Sequence, residues 1–218
     1  MMRQDDWTGR WVANKILEHD NVIGAELLDN RMVRITRKKY PDVVIATTAV
    51  ERFDDVTLRK VVTDPSAVNF VVNMTRDHYI TGEAIKLASA YHTPIGGMSD
   101  LFRALNEPDV SSYVNPEIIF IERSLRQHNR VTEFERLWDR KYRIDRLGLP
   151  SVDVVFLNDY ELTADHIRKA WDRYGPFSMV VKTNPNGKAT TTAHQVADEL
   201  GCKIYEEWRN FLGALNRK

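Results

Sequence analysis

The chain has a single cysteine and no excess of charge of either sign. One thiol, Cys202, cannot form an internal disulfide, which is typical of a protein from a reducing compartment. Because Cys202 lies in a short apolar stretch, we expect a buried and unreactive thiol. Lys plus Arg and Asp plus Glu number 31 each, so no global field attracts nucleic acid or an anionic membrane. Any contact with a polyanion would use a local patch.

Long hydrophobic runs are also absent. No window approaches the ~18 to 20 uninterrupted apolar residues that span a membrane. Residues 1–7 are charged and lack a secretory segment. The sequence therefore predicts a cytoplasmic protein with no membrane partner.

Familiar motifs for nucleotide binding, hydrolysis and zinc binding are missing too. Gly187-Lys188 is followed by Ala189 instead of Ser or Thr, so the segment is not a Walker A loop. No Gly-x-Gly-x-x-Gly follows any predicted strand, and no Gly-x-Ser-x-Gly occurs. The six histidines show no metal-ligand spacing, so we predict no metal site from them and leave the cofactor unassigned.

What the chain does contain is two similar stretches, residues 41–105 and 152–215. Both share an Asp-Val-Val run, at Asp42 and Asp153, and both close on Ala-Leu-Asn. Each stretch reads as strand, helix, strand, helix, short strand, helix. We interpret the similarity as an internal duplication of an α/β unit.

Strands that alternate with helices predict a mostly parallel sheet with helices on both faces. The expected fold is therefore α/β, with two tandem Rossmann-like or restriction-endonuclease-like units. The first unit is predicted at residues 1–107, where a helix and a hairpin precede the repeat, and the second at residues 116–218. Asn, Asp and Pro make residues 107–116 the expected linker.

Three local patterns add detail to this fold. Asp29-Asn30 predicts a hairpin turn between strands at residues 22–28 and 32–36. The apolar run at residues 117–122 predicts a strand, and the charged segment at residues 131–145 predicts a helix.

Ligands in open α/β sheets bind beyond the carboxyl ends of the strands, where loop amides and helix N-termini converge. In the second repeat the loops at those ends start near Asn158 and Lys182, and the later loop leads to a helix opened by Thr190. Such loops could hold a nucleotide or another phosphorylated small molecule; a polar loop before a capped helix is the alternative. The candidate ligand-binding residues are Lys182, Asn184, Asn186, Lys188, Asn158 and Asp159.

Asp42 and Asp153 are predicted to occupy the same place in both repeats, at the start of a central strand. One interpretation is a carboxylate that binds neighbouring backbone or an arginine. The other is a catalytic carboxylate that holds Mg²⁺ near a phosphate, since hard cations need such oxygens. Magnesium is expected only if one of these two carboxylates is functional.

A basic segment from Arg123 to Arg146 is interleaved with aromatic residues and is the best candidate for a surface that binds DNA or RNA. Acidic residues such as Glu133 and Asp139 also occur there, so ion pairs on a solvated helix are the alternative. The candidate nucleic-acid-binding residues are Arg123, Arg126, Arg130, Arg136, Arg140 and Lys141.

The end of each repeat has Val-Val on a strand, an Ala-rich helix, a short strand and a final helix that closes on Ala-Leu. This pattern resembles the C-terminal part of Mrr-like restriction endonucleases, which belong to the PD-(D/E)xK nuclease superfamily, and Pro41-Asp42 resembles the opening of that motif. The resemblance implies an acidic residue two positions before a lysine on the next strand. The chain departs from it, with Val180 before Lys182 in one repeat and Val71 before Asn73 in the other.

The sequence therefore leads to two hypotheses from different classes. The first is a degenerate nuclease-like protein that lacks the catalytic pair and acts on nucleic acid, in defence or DNA processing. The second is a sensor or scaffold that binds a nucleotide or small anion and acts through a protein partner. Both allow a homo-oligomer, and whether the chain is an enzyme stays undecided.

Overall fold

A computed structural model describes residues 7–217 of the chain. The chain divides into two compact units, the first ending at Asn115 and the second beginning at Pro116. Within the described residues, no helix is long and apolar enough to cross a membrane. The start of the chain, for which we predict no secretory segment, lies almost entirely outside the described residues.

Both units contain helices and strands, and each has its hairpin strands in succession after the first helix. The elements of the first unit are α1 (Thr8–Ile16), β1 (Val22–Leu27), β2 (Met32–Arg37), β3 (Val43–Thr48), β4 (Arg52–Phe53), α2 (Asp55–Val61), β5 (Phe70–Asn73), β6 (Tyr79–Ile80), α3 (Gly82–Tyr91), β7 (Ile95–Gly96) and α4 (Met98–Ala104). The elements of the second unit are α5 (Pro116–Arg126), β8 (Val131–Arg136), β9 (Lys141–Arg146), β10 (Leu149–Leu157), α6 (Ala164–Tyr174), β11 (Met179–Lys182), α7 (Thr191–Glu199), β12 (Lys203–Tyr205) and α8 (Trp208–Ala214).

Each unit holds one five-stranded mixed sheet. The strand order is β1-β2-β3-β5-β7 in the first unit and β8-β9-β10-β11-β12 in the second. In each sheet the first two pairings in this order are antiparallel and the last two are parallel. In the first unit, β4 and β6 also form a small parallel pair.

The prediction of a mostly parallel sheet was therefore wrong, because the hairpin strands join the sheet. Only residues 38–42 separate β2 from β3, and a parallel connection needs about a dozen residues or more, so these strands pair antiparallel. The same holds for β9 and β10, which only residues 147–148 separate. A Rossmann-like sheet, in which nearly all strands are parallel, describes neither unit.

The local predictions had mixed outcomes. The hairpin at Asp29-Asn30 is confirmed by the antiparallel pair of β1 and β2. The predicted strand at residues 117–122 was wrong, since this segment belongs to helix α5, where Ile118, Ile121 and Leu125 are buried at helical spacing. A short apolar run fits a strand and a buried helix equally well, and only the tertiary contacts decided between them.

The predicted helix at residues 131–145 was also wrong, because this segment forms the hairpin of β8 and β9. Phe134 pairs with Ile144 on the face that packs against the core, and Glu135 pairs with Arg143 on the opposite face. Alternation with a period of two is a strand pattern, which the high charge of the segment obscured.

The two units share individual hydrogen bonds as well as strand order. His19 Nε2 lies 2.9 Å from the carbonyl oxygen of Phe102, and His128 Nε2 lies 3.0 Å from that of Leu212. Each histidine lies between the first helix and the first strand of its unit, and each acceptor lies in the last helix. The same contact therefore joins the start of each unit to its end.

The strand register corrects the equivalence predicted for Asp42 and Asp153. The first parallel pair of each sheet joins Ile45 to Phe70 and Val154 to Met179. Asp153 directly precedes its paired valine, whereas Asp42 lies three residues before Ile45. The two aspartates are thus two positions out of register, a shift that leaves both on the same face of a strand.

A buried arginine at the end of the second strand occurs in both units. Arg37 Nη1 donates to the carbonyl oxygen of Glu107 at 2.7 Å, and Arg146 Nη1 donates to that of Arg217 at 2.8 Å. The Nε of each arginine donates to the carbonyl oxygen of a nearby proline, at 2.8 and 2.9 Å. Burial lowers the pKa of both guanidinium groups, which nevertheless remain charged. Each arginine fastens the hairpin to the segment that follows the last helix.

We predict that Arg37→Ala lowers the free energy of unfolding of the first unit by at least about 3 kcal/mol, because several buried carbonyl groups lose a charged donor. Denaturant titration with a signal from the first unit measures this loss. The matched control is Arg34→Ala on the same strand, whose exposed pair with Glu26 at 3.1 Å should be worth less than about 1 kcal/mol. Equal losses in the two variants would contradict the structural role of Arg37.

Candidate functional site

The carboxyl ends of β10 and β11 form one edge of the sheet in the second unit. Leu157 and Lys182 are paired at the ends of these parallel strands, so Asn158 and Thr183 leave the sheet side by side. The first turn of α5 adds Glu117, and Arg140 lies directly before β9. We call Glu117, Arg140, Asn158 and Thr183 the strand-end cluster.

Glu117 is the centre of the strand-end cluster. Arg140 Nη1 donates to Glu117 Oε1 at 2.7 Å, and the hydroxyl of Thr183 donates to the same oxygen. Asn158 Nδ2 donates to Glu117 Oε2 at 2.9 Å. Both carboxylate oxygens are therefore occupied, and the side chain of Glu117 is only 13% exposed.

These partners set the charge of the cluster. Burial alone would raise the pKa of Glu117, but the positive charge of Arg140 and the three hydrogen bonds outweigh it and hold that pKa below its ordinary range. Burial likewise opposes the charge of Arg140, but Glu117 raises the pKa of the guanidinium. A carboxylate with a lowered pKa is a weak base, so the cluster is poorly suited to proton transfer near neutral pH.

The loop after β11 is held by its own lysine. Lys182, 3% exposed, donates from Nζ to the carbonyl oxygen of Asn184 at 2.6 Å and to that of Asn186. Gly187 adopts a positive φ of 73°, and a Cβ there would lie 1.9 Å from the carbonyl oxygen of Tyr160. The loop is thus fixed against the preceding loop, and the ammonium group of Lys182 is already bonded to backbone.

The remaining predicted ligand-binding residues lie around this loop. Asn184 Oδ1 accepts from the backbone N–H of Asn186, which closes a local turn. Lys188 is exposed. Asp159 Oδ1 lies 3.7 Å from the imidazole Nε2 of His166 in α6. The structure brings Asn158 and the loop together, since the amide of Asn184 reaches the carbonyl oxygen of Asn158 at 3.5 Å.

Asp153 lies in the middle of β10, not at the start of the strand as predicted, and has two cationic neighbours. Its carboxylate accepts from Arg143 Nε at 2.9 Å and lies 3.0 Å from Lys141 Nζ. Burial alone would raise the pKa of Asp153, but the hydrogen bonds and charges of these two residues lower it overall. Asp153 lies four positions before Leu157 on β10, or about 13 Å along the strand at ~3.3 Å per residue. The carboxylate therefore does not belong to the strand end from which the ligand loop leaves the sheet.

The predicted carboxylates do not fit a magnesium site. Asp42 is exposed and accepts from the hydroxyl of Thr36 at 3.2 Å. Asp153 has two cationic partners and no second carboxylate. Across residues 7–217, no group of three or more His, Cys, Asp and Glu side chains is arranged to hold a metal ion.

The six predicted nucleic-acid-binding residues separate into two groups. Arg136, Arg140 and Lys141 bind within the unit: Arg136 donates to the carbonyl oxygen of Asp139, and Lys141 donates to that of Pro176 at 2.7 Å. These three do not form a free basic surface.

The other three candidates, Arg123, Arg126 and Arg130, lie on α5 and the turn after it and are exposed. Arg126 pairs with Glu122 at 2.6 Å. Arg123 and Arg130 make no ion pair within the described part of the chain.

Sequence reasoning missed Glu117 and the cleft beside Asp153. Pro116 followed by Glu117 is a helix-start signal, with Pro at the first position and an acidic residue in the first turn, and it could have placed both at the start of a helix. The cleft has a volume of about 540 Å³, and its lining includes Asp153, Trp171 and Phe177, which come from separate elements. No local pattern in the sequence predicts such a cleft.

Comparison with protein-family models gives no match, and comparison with curated protein sequences gives no relative. Neither comparison assigns a ligand or a reaction to the strand-end cluster. The function is therefore inferred from the geometry of the two units.

We predict that Glu117 makes stability depend on acid pH. Its pKa is lower in the folded state than the ordinary value of 4.5, so its contribution is fully present above that value and is lost as the pH falls below it. Between about pH 6 and about pH 3, the free energy of unfolding of the wild type should fall more steeply than that of Glu117→Gln. Glu133→Gln, at an exposed position in β8, is the control and should follow the wild type. Parallel curves for all three proteins would refute this role of Glu117.

Proposed function

We propose that the chain is a non-catalytic relative of Mrr-like nucleases that binds nucleic acid through its second unit. The observation that carries this proposal is the row of exposed arginines on α5 and the following turn: Arg123, Arg126 and Arg130. Guanidinium groups bind phosphate oxygens with two parallel hydrogen bonds, and the phosphate backbone dominates the affinity of nucleic-acid-binding proteins. Because the chain has zero net charge, binding to nucleic acid would have to rely on a local basic patch of this kind.

The absence of catalysis follows from the strands that would hold the active site. The family pattern needs an acidic residue two positions before a lysine, and Val180 and Val71 stand at the acidic positions, both completely buried. Lys182 does lie at the lysine position of the second unit, but its ammonium binds loop carbonyl groups. A metal ion and a general base therefore have no ligands that meet at one phosphate.

We also infer that the two units arose by duplication of one α/β unit. Their common strand order and their matching histidine and arginine contacts support this origin. So does an exchanged pair: Thr36 donates to Asp42 in the first unit, whereas Ser151 donates to Asp145 in the second. The hydroxyl residue and the carboxylate residue have exchanged positions between the two units. A hydrogen bond connects the same two positions in both units.

The alternative, a sensor for a small anion, has less support. An anion at the loop after β11 would have to draw Lys182 away from two carbonyl oxygens. The strand-end cluster offers no positive charge in compensation, because Glu117 pairs with Arg140. The buried thiol of Cys202, whose pKa burial raises to about 11, agrees with a protein of the reducing cytoplasm, where we propose that it acts.

We predict no cleavage of plain or methylated DNA in the presence of Mg²⁺ or Mn²⁺, because no acidic-x-Lys pair lies on the strand that follows Asp42 or Asp153. Gel analysis after long incubation measures this. If cleavage is seen, the variants Asp42→Asn and Asp153→Asn decide its source. Cleavage that either substitution abolishes would show that the protein is a nuclease after all.

We predict that the protein binds nucleic acid with an affinity that falls steeply with salt, because binding releases condensed counterions. Charge reversal in Arg123→Glu/Arg130→Glu should reduce the slope of log affinity against log salt by roughly 2, and should do so for all base sequences alike. Arg168→Glu is the control, since that arginine lies on α6 and pairs with Asp165 at 3.5 Å. Fluorescence anisotropy from about 50 to about 200 mM salt measures the slopes. Undetectable binding at the lowest salt would contradict the proposal. So would an equal change of the slope in the control variant Arg168→Glu.

A further inference from the structure

An aromatic pair lies exposed on the second unit. Phe120 in α5 is 50% exposed, and its ring centroid lies 4.8 Å from that of Trp208 at the start of α8. Trp208 also packs against the buried rings of Phe156 and Phe211, at 5.9 and 5.2 Å. The indole is therefore held in place by the core, and it supports a phenyl ring that faces solvent.

Two arginines accompany this pair. Arg123 lies one helical turn after Phe120 on α5, and Arg209 follows Trp208 on α8. Both side chains are exposed, and neither has an ion-pair partner within residues 7–217. Solvent-facing rings beside unpaired guanidinium groups are the combination with which proteins bind single strands, since the rings stack on bases and the cations follow the phosphates.

The first unit has an exposed ring at the equivalent position, with different neighbours. Trp11 in α1, at 41% exposed, occupies the position of Phe120, because both directly precede a fully buried residue of the first helix. Asn14 stands at the position of Arg123. At the start of the last helix, Met98 stands at the position of Trp208 and Ser99 at that of Arg209. The arrangement of an arginine one turn after the ring, with a tryptophan and an arginine at the start of the last helix, is therefore found in the second unit and not at the equivalent positions of the first. Trp11 instead has the exposed Trp7 and Arg10 near it in sequence, so its variant compares two different ring surfaces.

We propose that the α5–α8 surface, formed by Phe120, Arg123, Trp208 and Arg209, binds single-stranded nucleic acid by stacking an unpaired base on its rings. The inference rests on the proposed function and specifies the form of nucleic acid. In a duplex the bases stack on each other and are closed to these rings, so a duplex would meet only the arginines. Stacking does not distinguish DNA from RNA, whereas the 2′-hydroxyl of RNA gives a protein the means to do so.

One acidic neighbour gives the surface a second test. Glu207 is exposed, directly precedes Trp208 and accepts a hydrogen bond from Asn210. Its charge would repel a phosphate that passes over the rings. Glu207→Gln should therefore tighten the binding of a single strand.

The experiment compares Phe120→Leu with wild type on oligonucleotides of about 12 nucleotides: oligothymidine, oligouridine, an abasic strand and a duplex. Leucine keeps the apolar contact with Trp208 but has no aromatic face. We expect about a 10-fold loss of affinity for the two strands with bases, and no loss for the abasic strand or the duplex. Trp11→Leu is the matched control in the first unit and should bind as the wild type does. A difference between oligothymidine and oligouridine in the wild type shows which of the two is preferred.

The outcomes separate this inference from the proposed function. If Phe120→Leu lowers affinity for the abasic strand as much as for oligothymidine, or leaves all four affinities unchanged, stacking is refuted. Salt-dependent binding that Arg123→Glu/Arg130→Glu weakens would then still support the proposed function. If the wild type binds none of the four oligonucleotides at about 50 mM salt, both the stacking inference and the proposed function are refuted. If Glu207→Gln binds the single-stranded oligonucleotide more tightly, the result supports a nucleic-acid strand that passes over the start of α8. Weaker binding contradicts this placement.

Discussion

The architecture of each unit depends on one buried guanidinium. The last carbonyl groups of a helix have no partner within that helix, and arginine, with five donors, is the side chain that can satisfy several of them at once. Arg37 and Arg146 donate, from the end of the antiparallel hairpin, to carbonyl groups of the segment that directly follows the last helix, and that helix follows the last parallel strand. The two halves of a mixed sheet are thereby fixed to each other.

Several cations of the second unit are likewise bonded to oxygen atoms of the same unit. Lys141 and Lys182 are buried and Arg140 is partly buried, and a buried cation is tolerated only where oxygen atoms replace its water. Their partners are backbone carbonyl groups and carboxylates of the same unit. What remains for a ligand is the set of arginines that are exposed and unpaired, so the charge count of the chain says little about its binding surface.

The sequence predicted some local features and missed what depends on long-range contacts. The hairpin at Asp29-Asn30 was predictable because its signal lies in neighbouring residues. The mixed sheet was not, because it depends on which strand the hairpin joins. At the strand ends, Asn158 was predicted, but its partner Glu117 lies 41 residues earlier and was assigned to a strand. The basic segment was recognised, yet only the hairpin of β8 and β9 decides which of its arginines face outward.

The arginine clamp has a consequence for the order in which the protein forms. Arg37 and its acceptor Leu105 are 68 residues apart in sequence, and Arg146 and Leu215 are 69 apart. During synthesis the guanidinium of Arg37 stays without these acceptors until the end of α4 has left the ribosome. The first unit therefore closes in one late step, when nearly all of its chain is available, and contacts of such long range make folding slow. The second unit reaches the same point when the segment after α8 is available, again 69 residues after its arginine.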